Sequence, residues 1–337
     1  MISEQRVCVL YIAGYRSSGS TILHNVLGQV GGLFAVGETR NIWSHGFVRN
    51  VDCGCGKRFK KCPFWQDVAR EAFGGLQHAD AQAMIRETSR AGYRPLPLLL
   101  HRAGRDWLRS QFRDYIQHLA ALYRAVQSVS GCRGVVDSSK VPLYAYLLSQ
   151  APDIDLRVLH LTRDVHGAVF SRGKSRQPGR PLVWNAANVG AEMLPRYASA
   201  PYLHVRYEDF ARRPRLATKR ILTWLGEGTA TTPFSDASTF HKHPTHSVAG
   251  NPSRHKTGRT EIRISESWKT DMPLPAKLKI TLLTWPLLLR YGYPLWAGEN
   301  ATATTRARAP QADTSTSDRE HPGDFFTGRE EGPRMPS

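Results

Sequence analysis

Short apolar runs recur along the chain, and a turn and then a segment with helical periodicity follow each of them. The clearest runs are RVCVLYIAG (6–14), GVVDSS (134–139), LRVLHLTRD (156–164) and YLHVRYEDF (202–210). Runs this short and this apolar, bounded by turn residues, are typical of strands that are buried on both faces of a parallel sheet. Because these strands alternate with helical segments, the pattern predicts an α/β fold, in which helices cover both faces of the sheet.

Helical spacing of apolar residues is clearest in three segments. The longest predicted helix runs from Asp106 to Val129, a second runs from Pro214 to Leu225, and a third covers 275–291. From residue 298 onward the sequence changes to Ala, Thr, Ser, Pro, Gly and charged residues. Such a composition cannot bury enough apolar surface to fold alone. We therefore predict one folded domain over 1–297 and a disordered polar tail over 298–337.

The net charge of the chain favours an anionic ligand or partner. Lys and Arg number 46 against 28 Asp and Glu, which gives a formal net charge of +18. A field of this sign favours anionic small molecules, nucleic acids or acidic membrane surfaces. The basic residues are spread along the chain and are not interleaved with aromatic residues in an RNA-recognition pattern. We therefore expect no nucleic-acid partner, whereas a peripheral contact with a membrane stays open.

The apolar segments predict no membrane anchor. None approaches the ~20 apolar residues of a transmembrane helix. The first run lacks a basic flank and a small-residue cleavage site, so we interpret it as a strand and not as a signal peptide. The late run LLTWPLLLRYGY (282–293) is interrupted by Pro286 and Arg290 and is expected to form a buried helix. Five cysteines, an odd count, argue against a disulfide framework. We expect a cytoplasmic protein, and the sequence does not indicate its oligomeric state.

The segment GYRSSGST (14–21) follows the first predicted strand and opens a helical pattern. It fits the phosphate-loop pattern G-x-x-x-x-G-K-[ST] except at Ser20, where the lysine that contacts the β- and γ-phosphates is missing. Backbone N–H groups converge at such a turn, and the dipole of the following helix favours an anion. Added donors come from Arg16 and from the hydroxyls of Ser17, Ser18, Ser20 and Thr21. The pattern predicts an anion site that needs no magnesium, although an ordinary strand-to-helix turn remains the alternative.

Two motifs together resemble a known family. GYRSSGST resembles the 5′-phosphosulfate loop of the sulfotransferases that use 3′-phosphoadenosine 5′-phosphosulfate (PAPS), above all in the carbohydrate and tyrosyl-protein branches, where Arg replaces Lys. LRVLHLTRDVHGAVFSRGKSR (156–176) is similar to the 3′-phosphate motif of that family, in which Arg163 and Ser171 would hold the 3′-phosphate. A basic surface helix would show the second pattern too, but the ordered pair is more specific. The resemblance implies a P-loop-type sheet in a sulfotransferase-like three-layer sandwich.

Further segments extend the resemblance. HVRYEDFARRP (204–214) is similar to the V-x-Y-E-D-x-x-x-x-P segment of the family, and HSVAGNPSRHKTG (246–258) is similar to a loop that covers the nucleotide in bacterial members. The cofactor-binding residues that the resemblance implies are Arg16, Ser17, Ser18, Gly19, Ser20, Thr21, Arg163, Ser171, Tyr207, Arg254, Lys256 and Gly258.

Catalytic roles also follow from the resemblance. Glu38 lies in VGETR (36–40), where the tyrosyl-protein branch has a base that deprotonates the acceptor. Lys140 precedes Val-Pro after a predicted strand, as does a lysine of that branch that would stabilise the leaving phosphate together with Arg16. Alternatively, Glu38 pairs with Arg40 or caps a helix, Lys140 is a surface lysine, and His45 is the base. No metal is required, because an Arg and a Lys can neutralise the developing charge.

Cys53, Cys55 and Cys62 form a C-x-C-x₆-C cluster within CGCGKRFKKCPFW (53–65), a segment that is also similar to bacterial members of the family. Three thiols are enough for a zinc site if a fourth ligand comes from elsewhere in the chain, such as His45 or Cys132. The spacing matches no common zinc finger, and thiols of a cytoplasmic protein can simply stay reduced. We therefore expect less than one equivalent of zinc.

The predicted function is transfer of the sulfuryl group from PAPS, in line, to a hydroxyl of a sugar, a glycolipid or another small acceptor. One alternative is a nucleotide or metabolite kinase with a degenerate phosphate loop, for which Asp137 at a strand end is the candidate magnesium ligand. The other is a non-enzymatic protein that binds polyanions or a membrane surface. The segments 106–129 and Trp184–Tyr197 are expected to wall the acceptor cleft.

Overall fold

The computed structural model describes residues 6–171 and 180–295. Within these residues the central feature is a sheet of five parallel strands in the order β2-β3-β1-β4-β5. The strands are β1 Val7–Gly14, β2 Leu33–Gly37, β3 Gly134–Lys140, β4 Ile154–Thr162 and β5 Tyr202–Arg206. Two more strands, β6 Thr239–Lys242 and β7 Gly258–Glu261, form an antiparallel ribbon. The proposed tail, 298–337, lies outside the described residues.

Helices surround the sheet. They are α1 Ser20–Leu27, α2 Pro63–Phe73, α3 Ala81–Arg90, α4 Arg102–Gln111, α5 Arg113–Ser130, α6 Pro142–Ser149, α7 Val165–Phe170, α8 Arg180–Tyr197, α9 Tyr207–Arg212, α10 Pro214–Trp224, α11 Trp268–Asp271 and α12 Leu274–Arg290. Short 3₁₀ turns span Thr39–Asn41, Phe59–Lys61, Leu96–Leu100 and Pro252–His255, and a π-helical turn spans Trp43–Val48.

The side chains of β1 alternate between two hydrophobic cores. Val9 and Tyr11 pack into the core that α2, α5 and α6 cover, whereas Leu10 and Ile12 pack into the core beneath α1, α9 and α10. A strand whose two faces are both buried is expected to be apolar throughout, as this one is. The predicted α/β fold, a parallel sheet with helices on both faces, is therefore confirmed. All four predicted strands are present, but β2 and the β6–β7 ribbon were not predicted.

Two predictions about helices are wrong in part. The single helix expected over 106–129 is two helices, because Phe112 leaves helical geometry and packs into the core with 2% exposure. Helix α12 is not buried all round. It buries Ile280, Thr284 and Leu288 on one face, while Leu282, Trp285 and Leu289 on the other face stay exposed. No helix in the described ranges is both long enough and apolar enough to cross a bilayer.

The sheet brings the motif residues to one edge. The loop at 15–19 follows the carboxyl end of β1, Glu38 follows β2, Lys140 ends β3, and Arg163 follows β4. Because neighbouring parallel strands end at the same edge of a sheet, these segments lie side by side, where open α/β sheets bind ligands. The segment before β7 crosses the same edge, since Val248 bridges to Gly37.

Candidate functional site

A cavity of about 1040 Å³ lies at this edge of the sheet. Of the residues that the sequence nominated, Arg16, Ser17, Gly19, Ser20, Thr21, Glu38, His45, Lys140, Arg163, Ser171 and Lys256 line it. The described lysines and arginines that line it are Arg16, Lys140, Arg163, Arg180, Lys242 and Lys256. Glu38 is the only Asp or Glu among the described lining residues. Such an excess of positive charge in a cleft favours an anionic ligand.

The loop between β1 and α1 passes very close to neighbouring chain segments. Gly14 has a φ of 132°, and a Cβ there would lie 2.4 Å from the carbonyl oxygen of Leu161. Gly19 has a φ of 83°, and its Cβ would lie 2.3 Å from the ring of Tyr207. Both glycines are therefore required by this backbone path, which brings the N-terminus of α1 to the cavity. The first N–H groups of any α-helix lack intrahelical partners, so they are available to a ligand.

Side chains of the same loop also keep donors for a ligand. Arg16 is exposed, and it makes no hydrogen bond or ion pair with another described residue. The Oγ of Ser18 is buried and has no hydrogen-bond partner within the described ranges. Ser18 does not line the cavity, so of these two residues only Arg16 offers its donors directly to a ligand there.

Arg163 is held in place by the protein itself. Its guanidinium donates to the carbonyl oxygens of Ser17, at 2.9 Å, and Ser265, at 3.0 Å, and lies 4.4 Å from the ring centroid of Tyr207. The side chain is only 6% exposed but still lines the cavity. Tyr207 does not line the cavity, and its ring packs against the guanidinium of Arg163. The next residue, Asp164, accepts a hydrogen bond from the backbone N–H of His166 at 2.8 Å, so it caps α7.

Ser171 follows α7 and lines the cavity with an exposed side chain. Its hydroxyl donates to the carbonyl oxygen of Ala168 at 3.2 Å. The basic residues that follow it in the motif, Arg172, Lys174 and Arg176, lie outside the described residues.

Glu38 and Lys140 form a short ion pair at the cavity wall. The Nζ of Lys140 donates to Oε1 of Glu38 at 2.6 Å and to the carbonyl oxygen of Ser138 at 2.6 Å. Asn41 donates to the other oxygen of Glu38, Oε2, at 2.9 Å. Lys140 is 9% exposed, so it is not a surface lysine, and its φ of 74° is rare for a residue with a side chain. Backbone strain of this kind persists only where the surroundings impose it, and it is frequent at functional sites.

The surroundings of Glu38 keep its carboxylate ionised. Burial raises the pKa of Glu38, but the positive charges of Lys140 and Arg16 and the hydrogen bond from Lys140 lower it below its ordinary value. The alternative pair with Arg40 does not form, because the Arg40 guanidinium donates to the carbonyl oxygen of Thr88 at 2.6 Å. Glu38 also makes no side-chain cap on the following 3₁₀ turn.

His45, the reserve base, lies in the π-helical turn and lines the same cavity. Its Nδ1 lies 3.0 Å from the hydroxyl of Ser44. Burial and the charge of Arg49 lower the pKa of His45 below 6.5. The ring is therefore neutral at physiological pH, and both candidate bases are present in their unprotonated forms.

Residues 246–258, which we call the cover, lie over one side of the cavity. Lys256 lines the cavity, but Arg254 and Gly258 do not. The guanidinium of Arg254 instead donates to the carbonyl oxygen of Asp52 at 2.7 Å. The residues nominated from this segment thus divide into one that faces the cavity and two that shape the cover.

Sequence reasoning missed Lys242, which ends β6 and lines the cavity. Its Nζ donates to the carbonyl oxygens of Ser253 and Arg254, each at 2.8 Å. Burial, with a contribution from the charge of Arg254, lowers the pKa of Lys242 to about 8. The only sequence signal was a lysine in a short strand-like segment, TFHKH (239–243), which matches no motif.

Asp137, the magnesium ligand of the kinase alternative, is not at the cavity. It is fully buried, accepts a hydrogen bond from the backbone N–H of Ser139 at 2.6 Å, and accepts others from the hydroxyls of Thr39 and Tyr123. Burial raises the pKa of Asp137, against the effect of these hydrogen bonds. The carboxyl group is therefore part of the core and is not placed to hold a metal–nucleotide complex.

The segments that were expected to wall an acceptor cleft are placed elsewhere. Within the described ranges, neither 106–129 nor Trp184–Tyr197 contributes a side chain to the cavity. Trp184 is buried, and its indole N–H donates to the carbonyl oxygen of Arg163 at 3.1 Å. Trp184 thus supports the strand end that carries Arg163.

The three clustered cysteines meet a histidine that was not predicted. Cys53, Cys55, Cys62 and His246 place their Sγ and ring nitrogen atoms within 4.8 Å of one another. The expected fourth partners, His45 and Cys132, are not in this group. His246 lies 184 positions after Cys62, so local spacing gave no signal for it.

Comparison with known proteins gives limited information. No protein-family model and no curated protein matches the sequence. Among solved structures, a sulfotransferase domain from the curacin biosynthetic pathway is similar over 86% of this chain and 98% of its own, at 17% identity and a TM-score of 0.46. A sulfotransferase from Alicyclobacillus acidocaldarius is similar over 85% of this chain and 96% of its own, at 14% identity and a TM-score of 0.38. Likenesses this distant do not identify a function, so the proposal below rests on the site.

Proposed function

We propose that the protein is a sulfotransferase, which moves the sulfuryl group of PAPS to a hydroxyl group of a small acceptor such as a sugar or a glycolipid. The observation that carries the proposal is that two anion motifs far apart in the sequence line one cavity. Arg16 and the N-terminus of α1, which follow β1, line it together with Arg163 and Ser171, which follow the neighbouring strand β4. The sequence motifs at these two places resemble the two phosphate sites of PAPS enzymes.

The distribution of charge in the cavity fits this donor. PAPS carries negative groups at both ends of its ribose, on the 3′-phosphate and on the 5′-phosphosulfate, whereas ATP carries all its phosphates at one end. In our proposal the loop with Arg16, Ser20 and Thr21 binds the phosphosulfate, and Arg163 and Ser171 bind the 3′-phosphate. Lys256 and the neighbouring Lys242 would add charge from the cover. Guanidinium groups suit such sites because they donate two parallel hydrogen bonds to a phosphate.

The paired side chains at the wall supply the proposed chemistry. Glu38 accepts the proton of the acceptor hydroxyl, the acceptor oxygen forms a bond to sulfur, and the bond from sulfur to the bridging oxygen breaks. The leaving group is adenosine 3′,5′-bisphosphate. Arg16 and Lys140 stabilise the charge that develops on its bridging oxygen.

The contact between Glu38 and Lys140 gives these two roles a physical link. While Glu38 is ionised, it neutralises Lys140 across 2.6 Å. When Glu38 takes up the proton, it loses its charge, and the positive charge of Lys140 becomes available to the leaving group. Proton transfer at one end of the reaction would therefore strengthen electrostatic stabilisation at the other.

The alternatives receive less support from the site. A kinase needs carboxylates for magnesium, and in the described part of the cavity Glu38 is the only one and is already paired with Lys140. A non-enzymatic polyanion binder needs only an exposed basic surface, and it does not explain the short ion pair or the strained Lys140.

Label transfer tests this proposal. We would incubate the full chain with [³⁵S]PAPS and a panel of monosaccharides, phenols and glycolipid vesicles, and in parallel with magnesium and [γ-³²P]ATP. We expect ³⁵S to pass to one acceptor class, with a loss of about 100-fold or more in Lys140→Ala. The matched control is Lys219→Ala, an exposed lysine on α10. Transfer of ³²P from ATP without transfer of ³⁵S would contradict the proposal.

A further inference from the structure

We propose that Cys53, Cys55, Cys62 and His246 bind one zinc ion in a closed, structural site. Their ligand atoms all lie within 4.8 Å of one another. The Sγ atoms of Cys55 and Cys62 are 3.7 Å apart, and Nδ1 of His246 lies 3.7 Å from Sγ of Cys53 and 3.2 Å from Sγ of Cys62. Tetrahedral zinc with bonds of about 2.3 Å to sulfur and about 2.0 Å to nitrogen separates its ligand atoms by roughly 3.5–3.8 Å. The four side chains are thus close to the spacing that the metal requires.

The local fold places the cysteines without the metal. Cys53 and Cys55 lie on a tight turn, where the N–H of Cys53 donates to the carbonyl oxygen of Lys57 at 2.8 Å and the N–H of Gly56 donates to that of Cys53 at 2.9 Å. Cys62 immediately precedes Pro63, the first residue of α2. Cys53 and Cys62 are fully buried. A turn that carries two thiols beside a helix start that carries a third is a preformed ligand set.

His246 is oriented by contacts of its own. Its ring stacks on Phe64 with centroids 4.8 Å apart, and its carbonyl oxygen accepts a hydrogen bond from the indole of Trp65 at 2.9 Å. These contacts fix the ring so that Nδ1 faces the cysteines.

The chemistry of the ligands selects the metal and its role. Three thiolates and one imidazole are soft donors that favour zinc over magnesium or calcium. Four protein ligands complete a tetrahedral shell and leave no open position for a substrate or water, so the site is structural and not catalytic. The expectation of less than one zinc equivalent is replaced by one full equivalent, because the missing fourth ligand is His246.

The proposed zinc would fasten the cover of the cavity. The N–H of Gly54 donates to the carbonyl oxygen of Ser247 at 2.9 Å, and the N–H of Glu38 donates to that of Val248 at 3.0 Å. Arg254 reaches the carbonyl oxygen of Asp52 at 2.7 Å. The metal thus lies where the cysteine turn, the strand end of Glu38 and the segment leading to Lys256 meet. Its removal would loosen the cover without changing a residue that contacts the ligand, and the presence of a ligand there rests on the proposed function.

Metal analysis of the full chain, purified without a metal-affinity tag or chelator, tests the site. We expect about one zinc per chain. Cys55→Ser and His246→Ala are expected to lose most of it, whereas the matched controls Cys132→Ser and His243→Ala retain it. Zinc that is retained equally by all four variants would be adventitious and would overturn the proposal.

A measurement on the unmodified protein covers the case in which a variant fails to fold. A mercurial reagent titrates the thiols while a chromogenic chelator reports zinc release. We expect zinc release to follow the reaction of three thiols, and we expect prior zinc removal to lower the thermal midpoint of unfolding. A metal-free protein with an unchanged midpoint, or a disulfide between Cys55 and Cys62 found by mass spectrometry, would contradict the site. Neither readout needs a nucleotide, so failure here is distinct from failure of the proposed function.

Discussion

The two arginines that we assign to the nucleotide, Arg16 and Arg163, are held by the protein in opposite ways. Arg16 is exposed on a loop and makes no hydrogen bond or ion pair with another residue of the described ranges. Arg163 is 6% exposed, donates to two carbonyl oxygens and stacks on Tyr207. The charge of Arg16 is therefore available to a ligand without breaking a protein contact, whereas the charge of Arg163 is already held by contacts within the fold.

This difference predicts that the two arginines contribute differently to ligand binding and to the stability of the fold. A side chain that is ordered before the ligand arrives loses little conformational entropy on binding, so it adds affinity and specificity. An exposed side chain is ordered only by the ligand, and it can follow a charge that moves during the reaction. We infer that the side with Arg163 anchors the nucleotide and that the side with Arg16, Glu38 and Lys140 performs the transfer.

The largest expected effect is on the reacting side. Glu38→Gln keeps the shape of the side chain but removes the proton acceptor and the charge that holds Lys140. We expect the rate of sulfuryl transfer to fall by about 10²–10⁴-fold, the usual contribution of a general base. Binding of adenosine 3′,5′-bisphosphate should persist. Initial rates at saturating PAPS, with calorimetry of the same variant, measure the two effects.

His45→Gln serves as the control for the base, and pH separates the two candidates. Activity that depends on an ionised base falls as pH drops through the pKa of that base. The pKa of Glu38 lies below its ordinary value of 4.5, and that of His45 lies below 6.5. An acid limb that is unchanged in His45→Gln would identify Glu38. An acid limb between these values that disappears in His45→Gln would transfer the role to His45.

The next effect tests the anchoring side. Arg163→Ala removes two hydrogen bonds from a charged donor, to the carbonyl oxygens of Ser17 and Ser265, each contributing about 1.5 kcal/mol. We expect the free energy of unfolding to fall by about 2–4 kcal/mol, and bisphosphate affinity to fall about 100-fold or more. Chemical denaturation and calorimetry measure the two losses, with the exposed Arg215→Ala as control. Unchanged stability would show that Arg163 is not built into the fold as described.

A smaller effect is expected on the open side. Arg16→Ala removes an exposed cation that makes no hydrogen bond or ion pair with another described residue, so the free energy of unfolding should stay within about 0.5 kcal/mol of wild type. Loss of a charged hydrogen bond to the donor predicts affinity for PAPS that is about 10–100-fold weaker. Denaturation curves and PAPS titrations give both values. A destabilisation as large as that of Arg163→Ala would remove the contrast between the two sides.

The smallest effect concerns Lys242 and pH. Because the pKa of Lys242 is about 8 in the free protein, half of its amino groups are neutral at about pH 8. A bound anion favours the charged form and raises this pKa, so binding should take up a proton near and above pH 8, and affinity should fall as pH rises, by less than about tenfold. Calorimetry in buffers of different ionisation enthalpy measures the proton uptake. It should vanish in Lys242→Met; proton uptake that is unchanged in this variant would assign it to another group.

Local signals predicted the parts of the fold that local chemistry decides. The loop at 14–21 was recognised because two glycines, a preceding apolar run and a following helix all lie within one short segment. The end of β4 was recognised in the same way from Thr-Arg-Asp before a helix. Strands β2 and β5 are both five residues long and lie at the two edges of the sheet, but only β5 leads into a segment, 204–214, that resembles a family motif, whereas LFAVG of β2 has no such signal.

Features that depend on distant contacts could not be predicted. Lys242 reaches the cavity only because β6 pairs with β7, and His246 reaches the cysteines only because the cover crosses the sheet edge. The break between α4 and α5 at Phe112 has no Gly or Pro that would predict it, and it arises because the Phe112 ring packs in the core. Most residues that line the cavity could therefore be nominated from motifs, whereas the segments 106–129 and Trp184–Tyr197, nominated from position alone, do not line it.

The most direct test of the central claim is calorimetric titration of the wild-type protein with adenosine 3′,5′-bisphosphate, adenosine 5′-monophosphate and magnesium-ATP. We predict tight binding of the bisphosphate, unaffected by magnesium, and binding of the monophosphate that is weaker by about 100-fold, because Arg163 and Ser171 would lose their phosphate. Tight binding of magnesium-ATP, with equal affinity for the two adenosine phosphates, would contradict a cavity built to hold a nucleotide by both ends.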